Sequence, residues 1–404
     1  MSSAAAPPAA PAPAVPRSVL AARTGVAVVF ALNGLAVATW FGRVPAVREA
    51  LGLTAGRLGL LLLALSAGAL LAMPTAGLVA QRLGTARTVA ASTLLVAAGL
   101  TLAGAAAGLA GSLVGVAVGL FALGYGSGTC DVAMNVEGAA VERRLGRTVM
   151  PRFHAAWSLG SVAGAALGAG AARLGVPVAA HLAALAAVVL VGTVLAARSF
   201  LPVTETAAAP APASRRRDLL AAWREPRTLL VGLLVLVMAF AEGSANDWLA
   251  VAFVDGHGLS EAAGAAVFGV FVVGMTLGRT VGTLALDRWG RVRVLVATIL
   301  LATLGAATAV LAGSGPVAIA GVALWGVGAS LGFPVGMSAA ADDEERAPAR
   351  VSVVAVIGYT AFLAGPPLLG MLGDRVGTLH ALLVVPVLLL PTLALVPTLR
   401  PPTR

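Results

Sequence analysis

The stretch "GTCDVAMNVEGAA", residues 128–140, sets Asp131, Asn135 and Glu137 in an otherwise apolar run. Asp131 and Asn135 are i and i+4, so a helix stacks the carboxyl and the amide on one face. A carboxylate at membrane depth is costly in its charged form, and intramembrane acids face a bundle interior or a wet cavity. Such a group can take up and release a proton, which makes Asp131 a candidate for proton coupling. The alternative is structural: Asp131 bonds a neighbouring helix or an interior Arg. Glu137 points to another face, where pairing with Arg143, Arg144 or Arg152 is expected. A second constellation, "EGSANDW" at 242–248, has the same form. Glu242 and Asn246 share a face, and Asp247 and Trp248 follow. Glu242 reads as a second protonatable site or a substrate contact.

Other side chains could line a solute cavity. "RFHAAWSLGSVAGAALG" offers His154 and Trp157, then Gly160, Gly164 and Gly168 as a small-residue stripe for tight helix contact. Trp325, Phe333 and Tyr359 could stack on a ring, and Asn33 and Tyr125 are further candidates. Arg279 is expected to snorkel or to pair with Asp287.

Much chemistry is excluded. The chain has no Lys, so it has neither the lysine of a phosphate-binding loop nor the amine of a Schiff base. Cys130 is alone and forms no intramolecular disulfide or metal site. No His pair has metal spacing and no Ser/His/Asp arrangement stands out, so no cofactor, no metal and no enzymatic activity are expected. The acidic run Asp342 to Glu345 reads as loop charge.

The elements that must hold these residues follow from composition. Of 404 residues, 59% are hydrophobic and 11% charged, against about 45–50% and about 25% in soluble domains. The chain is therefore expected to be a multi-pass membrane protein bathed in lipid, and its basic residues, which lie between apolar segments, are not expected to bind nucleic acid. A span needs about 20 apolar residues. Twelve such segments are predicted, near 22–42, 55–80, 88–107, 113–140, 152–172, 178–197, 228–252, 262–285, 294–313, 317–340, 350–372 and 379–398. Arg43, Arg48, Arg57, Arg173 and Arg375 lie on one set of connections, and every other Arg except Arg279 on the alternate set. The excess of basic residues marks the cytoplasmic side, so both termini are expected there, in the plasma membrane.

The predicted organisation is a disordered tail at 1–21 with no cleaved signal, a six-helix bundle at 22–197, and a flexible basic linker at 198–227. A second bundle at 228–398 and a short tail at 399–404 follow. The halves repeat at an offset of 202: Arg173 and Gly175 fall on Arg375 and Gly377, Glu142 and Arg144 on Glu344 and Arg346, and Gly124 and Gly126 on Gly326 and Gly328. Two parallel copies suit a transporter that rocks two bundles around a midplane site.

Two loops sharpen this. In "LDRWGRVRV", Asp287, Arg288, Gly290 and Arg291 resemble the D-R-x-G-R signature of the major facilitator superfamily. "GLVAQRLGTAR" sets Gly77, Arg82, Gly84 and Arg87 on the same pattern, with Gln81 where an acid is usual. Such loops can clasp a neighbouring span when the cytoplasmic side closes. "DVAMNVEGAAVERRLGRTVMPRFHAAWSLGSVAGAALG", with "EGSANDW", is similar to the YbjJ-like permeases, a branch near the fucose permeases. The resemblance implies an all-α membrane fold of twelve helices in two pseudo-symmetric six-helix bundles. It also implies a coupling role for a span 4 carboxylate followed four residues on by Asn, which Asp131 and Asn135 match. The acid of span 1 in that family has no counterpart here. Spans 1 and 7 meet outside in the superfamily, so an ion pair from Arg43 to Asp247 is expected to close that side.

The function so implied is a monomeric secondary transporter that moves a small solute by alternating access, coupled to protons. The alternatives are a proton-linked exporter of drugs or natural products and a transport-inactive sensor. Gly164 is followed by Ala165, where drug exporters carry Gly-Pro, although "GPP" occurs at 365–367.

Overall fold

The computed structural model describes residues 16–146, 149–202, 212–313, 315–343 and 346–400. Most of the expected tail, the linker stretch 203–211, and Arg147, Glu344, Glu345 and Arg404 lie outside the described residues.

Among the described residues, eleven helices are long and apolar enough to cross a membrane. Spans 1 to 6 are Arg17–Phe41, Ala55–Leu83, Thr85–Gly108, Leu113–Leu145, Met150–Arg173 and Val178–Ala197. Span 7 is Pro226–His257, and spans 10, 11 and 12 are Gly315–Ala340, Ala349–Val376 and Thr378–Leu399. The 51-residue element Glu261–Leu311 holds two spans, 8 and 9, because Gly290 inside it is not helical (φ 74°, ψ 159°). Gly84, between spans 2 and 3, has the same backbone (φ 77°, ψ 159°). The twelve predicted spans are therefore present.

The helices overrun the predicted segments where caps outlast the apolar run. Span 4 is capped by Ser112, whose side chain accepts from Gly115 N, and by the left-handed Gly146, so that its last residue, Leu145, lies five residues past the predicted limit of 140. Span 10 is broken at Ser330 and Leu331, between the helices Gly315–Ala329 and Gly332–Ala340. Within the linker, Pro212–Ala222 is helical and packs on span 11.

The repeat is visible in how the helices touch. Span 4 is wedged between spans 2 and 3: a Cβ on Gly124 would stand 2.0 Å from Leu65 O, and one on Gly126 2.6 Å from Ser92 O. Span 10 is wedged likewise: a Cβ on Gly326 would stand 2.3 Å from Phe271 O of span 8, and one on Gly328 2.2 Å from Ala302 N of span 9. Each half forms a six-helix bundle by such close approaches, which suit helices that gain no hydrophobic force from lipid. Side chains such as Leu60 and Leu284 remain exposed, as a lipid-facing surface requires.

The bundles meet along two seams, span 2 against span 11 and span 5 against span 8. In the first seam backbone lies on backbone: a Cβ on Gly59 would stand 2.4 Å from Pro366 O, and one on Gly370 2.5 Å from Ala55 O. An even number of spans puts both chain ends on one face, here the termini face, together with the Gly84 and Gly290 turns. On the opposite face Arg48, in the short helix Val44–Ala50, pairs with Asp255 of span 7. Asp374 of span 11 accepts from Gly56 N (2.9 Å) and Thr54 Oγ1 (3.4 Å) of the other bundle.

Candidate functional site

A cavity of about 290 Å3 lies between the bundles. One half contributes Asn33 of span 1, Ser127 and Asp131 of span 4 and Trp157 of span 5. The other contributes Asn246 and Asp247 of span 7 with Tyr359 and Phe362 of span 11.

Asp131 is presented as its spacing requires. Asn135 Nδ2 donates to the Asp131 carbonyl (2.8 Å) and to its Oδ1 (3.3 Å), so the amide one turn on steadies the carboxylate. Four residues before Asp131, on the same face, Ser127 Oγ donates to Asn33 Oδ1 at 3.1 Å. Asn33 is 5% exposed, so its amide is held toward span 4 at the cavity wall.

Asp247 faces the same cavity and is 8% exposed. No hydrogen bond or ion pair holds it among the described residues. The expected pair with Arg43 is not formed. Asp247 lies ten residues before His257, the last residue of span 7, about 15 Å along the axis at 1.5 Å per residue. Arg43 lies beyond the end of span 1, 4% exposed, and its Nη2 donates to Val176 O at 2.9 Å. The pair that joins the bundles on that face is Arg48 with Asp255, two residues from the end of span 7.

Glu242 does not line the cavity. Arg279 of span 8 holds it, Nη2 to Oε1 at 3.2 Å and to Oε2 at 3.4 Å. Arg279 Nε also donates to Ser330 O at 3.4 Å, at the break of span 10, where a carbonyl is released from helical bonding. Arg279 therefore neither snorkels nor pairs with Asp287. Glu137 is 3% exposed and ties three spans of its own bundle, accepting from Thr85 Oγ1 (2.6 Å) and from Leu201 N (2.7 Å) just beyond span 6. Its expected pairing with Arg143 or Arg152 is not formed.

The other candidates divide. Trp157, Asn246 and Tyr359 line the cavity, and Phe333 stands behind Tyr359 with ring centroids 5.8 Å apart. Tyr125 turns to span 2, its hydroxyl 2.9 Å from Thr75 Oγ1. His154 lies edge-on to Phe30 at 5.2 Å, and Trp325 is buried against Phe271. These three are outside the cavity. Phe41, Ser127 and Phe362 were not singled out from the sequence, although Ser127 shares the helical face of Asp131 and was open to the same argument.

The gating candidates sit at two equivalent turns. Arg82, Arg87, Asp287 and Arg288 are exposed, and Gly77 has open space where a Cβ would be. Arg288 lies over the Trp289 ring at 5.7 Å. Arg291 donates to Asp342 Oδ1 at 2.8 Å, and Arg227 donates to Oδ2 of the same carboxylate at 2.7 Å. These bonds stay within the second bundle, so neither turn clasps the other half in this conformation.

A family model described as Major Facilitator Superfamily matches residues 26–342 and 248–404. The chain belongs to the Major Facilitator Superfamily. It is 33% identical over 359 residues to the uncharacterised transporter y4wD of Sinorhizobium fredii, covering 89% of this chain and 93% of that one. It is 29% identical over 363 residues to the membrane protein MosC of Rhizobium meliloti, covering 90% and 86%. The fold is similar to that of the nucleoside transporter NupG, with a TM-score of 0.77 at 13% identity over 93% of this chain and 99% of that one. It is also similar to the E. coli fucose:proton symporter FucP, at 0.66 and 18% over 95% and 100%. A transporter of the Major Facilitator Superfamily carries small-molecule solutes across a membrane, and a cavity walled by both bundles is where such a solute can be handed from one face to the other.

Proposed function

We propose that this protein is a proton-coupled secondary transporter of the plasma membrane that binds its solute between the bundles and works by alternating access. The observation that carries this reading is Asp131, a carboxylate at mid-span that opens on a cavity walled by both halves. A group so placed is exposed to whichever side the cavity faces, so its protonation can follow the rocking of the bundles. The second coupling role passes from Glu242, which Arg279 already neutralises, to Asp247 on the opposite wall. The termini face is cytoplasmic on this reading, since nearly all the connecting arginines lie there. The Arg48 to Asp255 and Asp374 to Gly56 links then close the outside. One chain completes the cavity, so a monomer suffices. The similarity to the YbjJ-like branch rests on the motifs of spans 4, 5 and 7.

The test is lumenal pH in proteoliposomes challenged with a panel of sugars, amino acids and drugs, for wild type and Asp131→Asn. Solute-driven proton movement in the wild type that the variant loses is the expected result. Solute flux without proton movement, or an Asp131→Asn variant that couples normally, overturns the coupling role.

A further inference from the structure

The charge balance of the cavity is one-sided. Asp131 and Asp247 both line it, and no Arg or His does. Arg279 of span 8 is taken up by Glu242. Arg43, just beyond the end of span 1, is turned to Val176 O near the opposite face, and His154 of span 5 lies on Phe30 outside the cavity. The titratable groups facing Asp131 are Cys130 beside it and Tyr359 across the cavity. Among the described residues no charged group acts on Asp247. A nine-tenths buried carboxylate with no partner is costly to keep charged and has nothing on the protein to neutralise it.

The rest of the lining fits the same ligand. Trp157, Tyr359 and Phe362 offer ring faces that attract a cation. Asn33, Asn246 and Ser127 offer amide and hydroxyl groups for a polar skeleton. A volume near 290 Å3 is at the small end of ligand pockets, which run from about 300 Å3.

We infer that the solute of this cavity is a small hydroxylated amine in its cationic form, held by Asp131 and Asp247 against the aromatic faces. This rests on the transporter reading above and names its substrate class. Amine and proton use the same two carboxylates, so each displaces the other, and transport is an exchange of amine for proton. A neutral sugar of the same size leaves Asp247 without a partner and is rejected.

The test uses the full chain in detergent at about pH 6.5, below the usual range of amines. The probes are Tris, glucosamine and galactosamine, each against its neutral counterpart: pentaerythritol, glucose and galactose. Binding is read by calorimetry, and proton release by a pH electrode in weak buffer. The same pairs are then tested as drivers of lumenal pH change in proteoliposomes. At least one amine should bind about tenfold or more tighter than its counterpart, as expected for a charge-assisted contact of about 1.4 kcal/mol or more, and should release protons on binding. Asp247→Asn, close to isosteric, should remove the preference while melting as the wild type does. Neutral probes that bind as well as amines and still drive proton movement overturn the substrate class and leave the transporter reading intact. Amines that bind without releasing protons overturn the exchange. If neither set binds or moves protons, this inference and the coupling reading fall together.

Discussion

Arg279 of span 8 spans both carboxylate oxygens of Glu242 in span 7, at 3.2 and 3.4 Å. Glu242 is 13% and Arg279 29% exposed in their side chains, so the pair is sheltered on the acid side only. Removing the acid strands a guanidinium within the second bundle. A fully buried pair broken this way costs about 3–5 kcal/mol, and surface pairs contribute about 1 or less. Glu242→Gln is therefore expected to destabilise by about 1–3 kcal/mol, read as a lower melting temperature in detergent. Asp247→Asn, which replaces an unpartnered acid by a near-isostere, should leave the melting temperature unchanged. The reverse order would refute the assignment of the two acids.

The face opposite the termini is closed by exposed polar links. Arg48→Ala with Asp374→Ala removes the links to Asp255 and to Gly56 N. Each contributes about 0.5–1 kcal/mol, so the double variant should shift the two-state balance by about five- to thirtyfold toward opening on that face. Spin labels at Leu51 and Val376, in a Cys130→Ala background, should show a second and longer distance gaining population. An unchanged distance distribution would show that the seams alone hold this face shut.

Glu225, just before span 7, sits in a polar cluster at the termini face. Arg350 Nε donates to its Oε2 at 2.6 Å and Arg350 Nη2 to its Oε1 at 3.2 Å. These bonds hold the Glu225 carboxyl below its ordinary range, with burial opposing them. A folded value below the unfolded one adds stability that is complete above the ordinary Glu range and is lost as the pH falls through the lowered value. Glu225→Gln should thus melt lower than the wild type at neutral pH, by an amount reflecting about 1 kcal/mol, and the gap should close in acid. A gap that persists below about pH 3 would point to packing instead of charge.

Gly290 and Gly84 share a backbone region that only glycine enters easily, with φ near 75° and ψ of 159°. Gly290→Ala and Gly84→Ala should each destabilise by about 1–3 kcal/mol. The two turns lie in different bundles, so the double variant should approach the sum of the single effects. Thermal melts of the four proteins test this.

The fold was legible because lipid demands long apolar helices, and twelve such runs stand clear of each other in the chain. Helix ends were less legible: span 4 runs on to its Gly146 cap, a local stop that hydropathy does not register. At the site, Asp131 with Asn135 could be read from spacing alone, since both lie on one helix. Asp247 could not. Its depth depends on where span 7 ends, and the five residues by which that helix outruns its predicted limit move Asp247 from the face into the cavity. The partner of Glu242 was also hidden, because Arg279 reaches it across two helices and no spacing within either one records the contact.

The seam between spans 2 and 11 is backbone on backbone, through Gly59 at Pro366 and Gly370 at Ala55. On the alternating-access reading proposed above it works like a plain bearing: at these two points backbone meets backbone, so motion there need not wait for rotamers to rearrange. A joint of that kind is also indifferent to cargo. Residues on the cavity wall can be exchanged to suit a new solute without refitting the surface on which the halves turn.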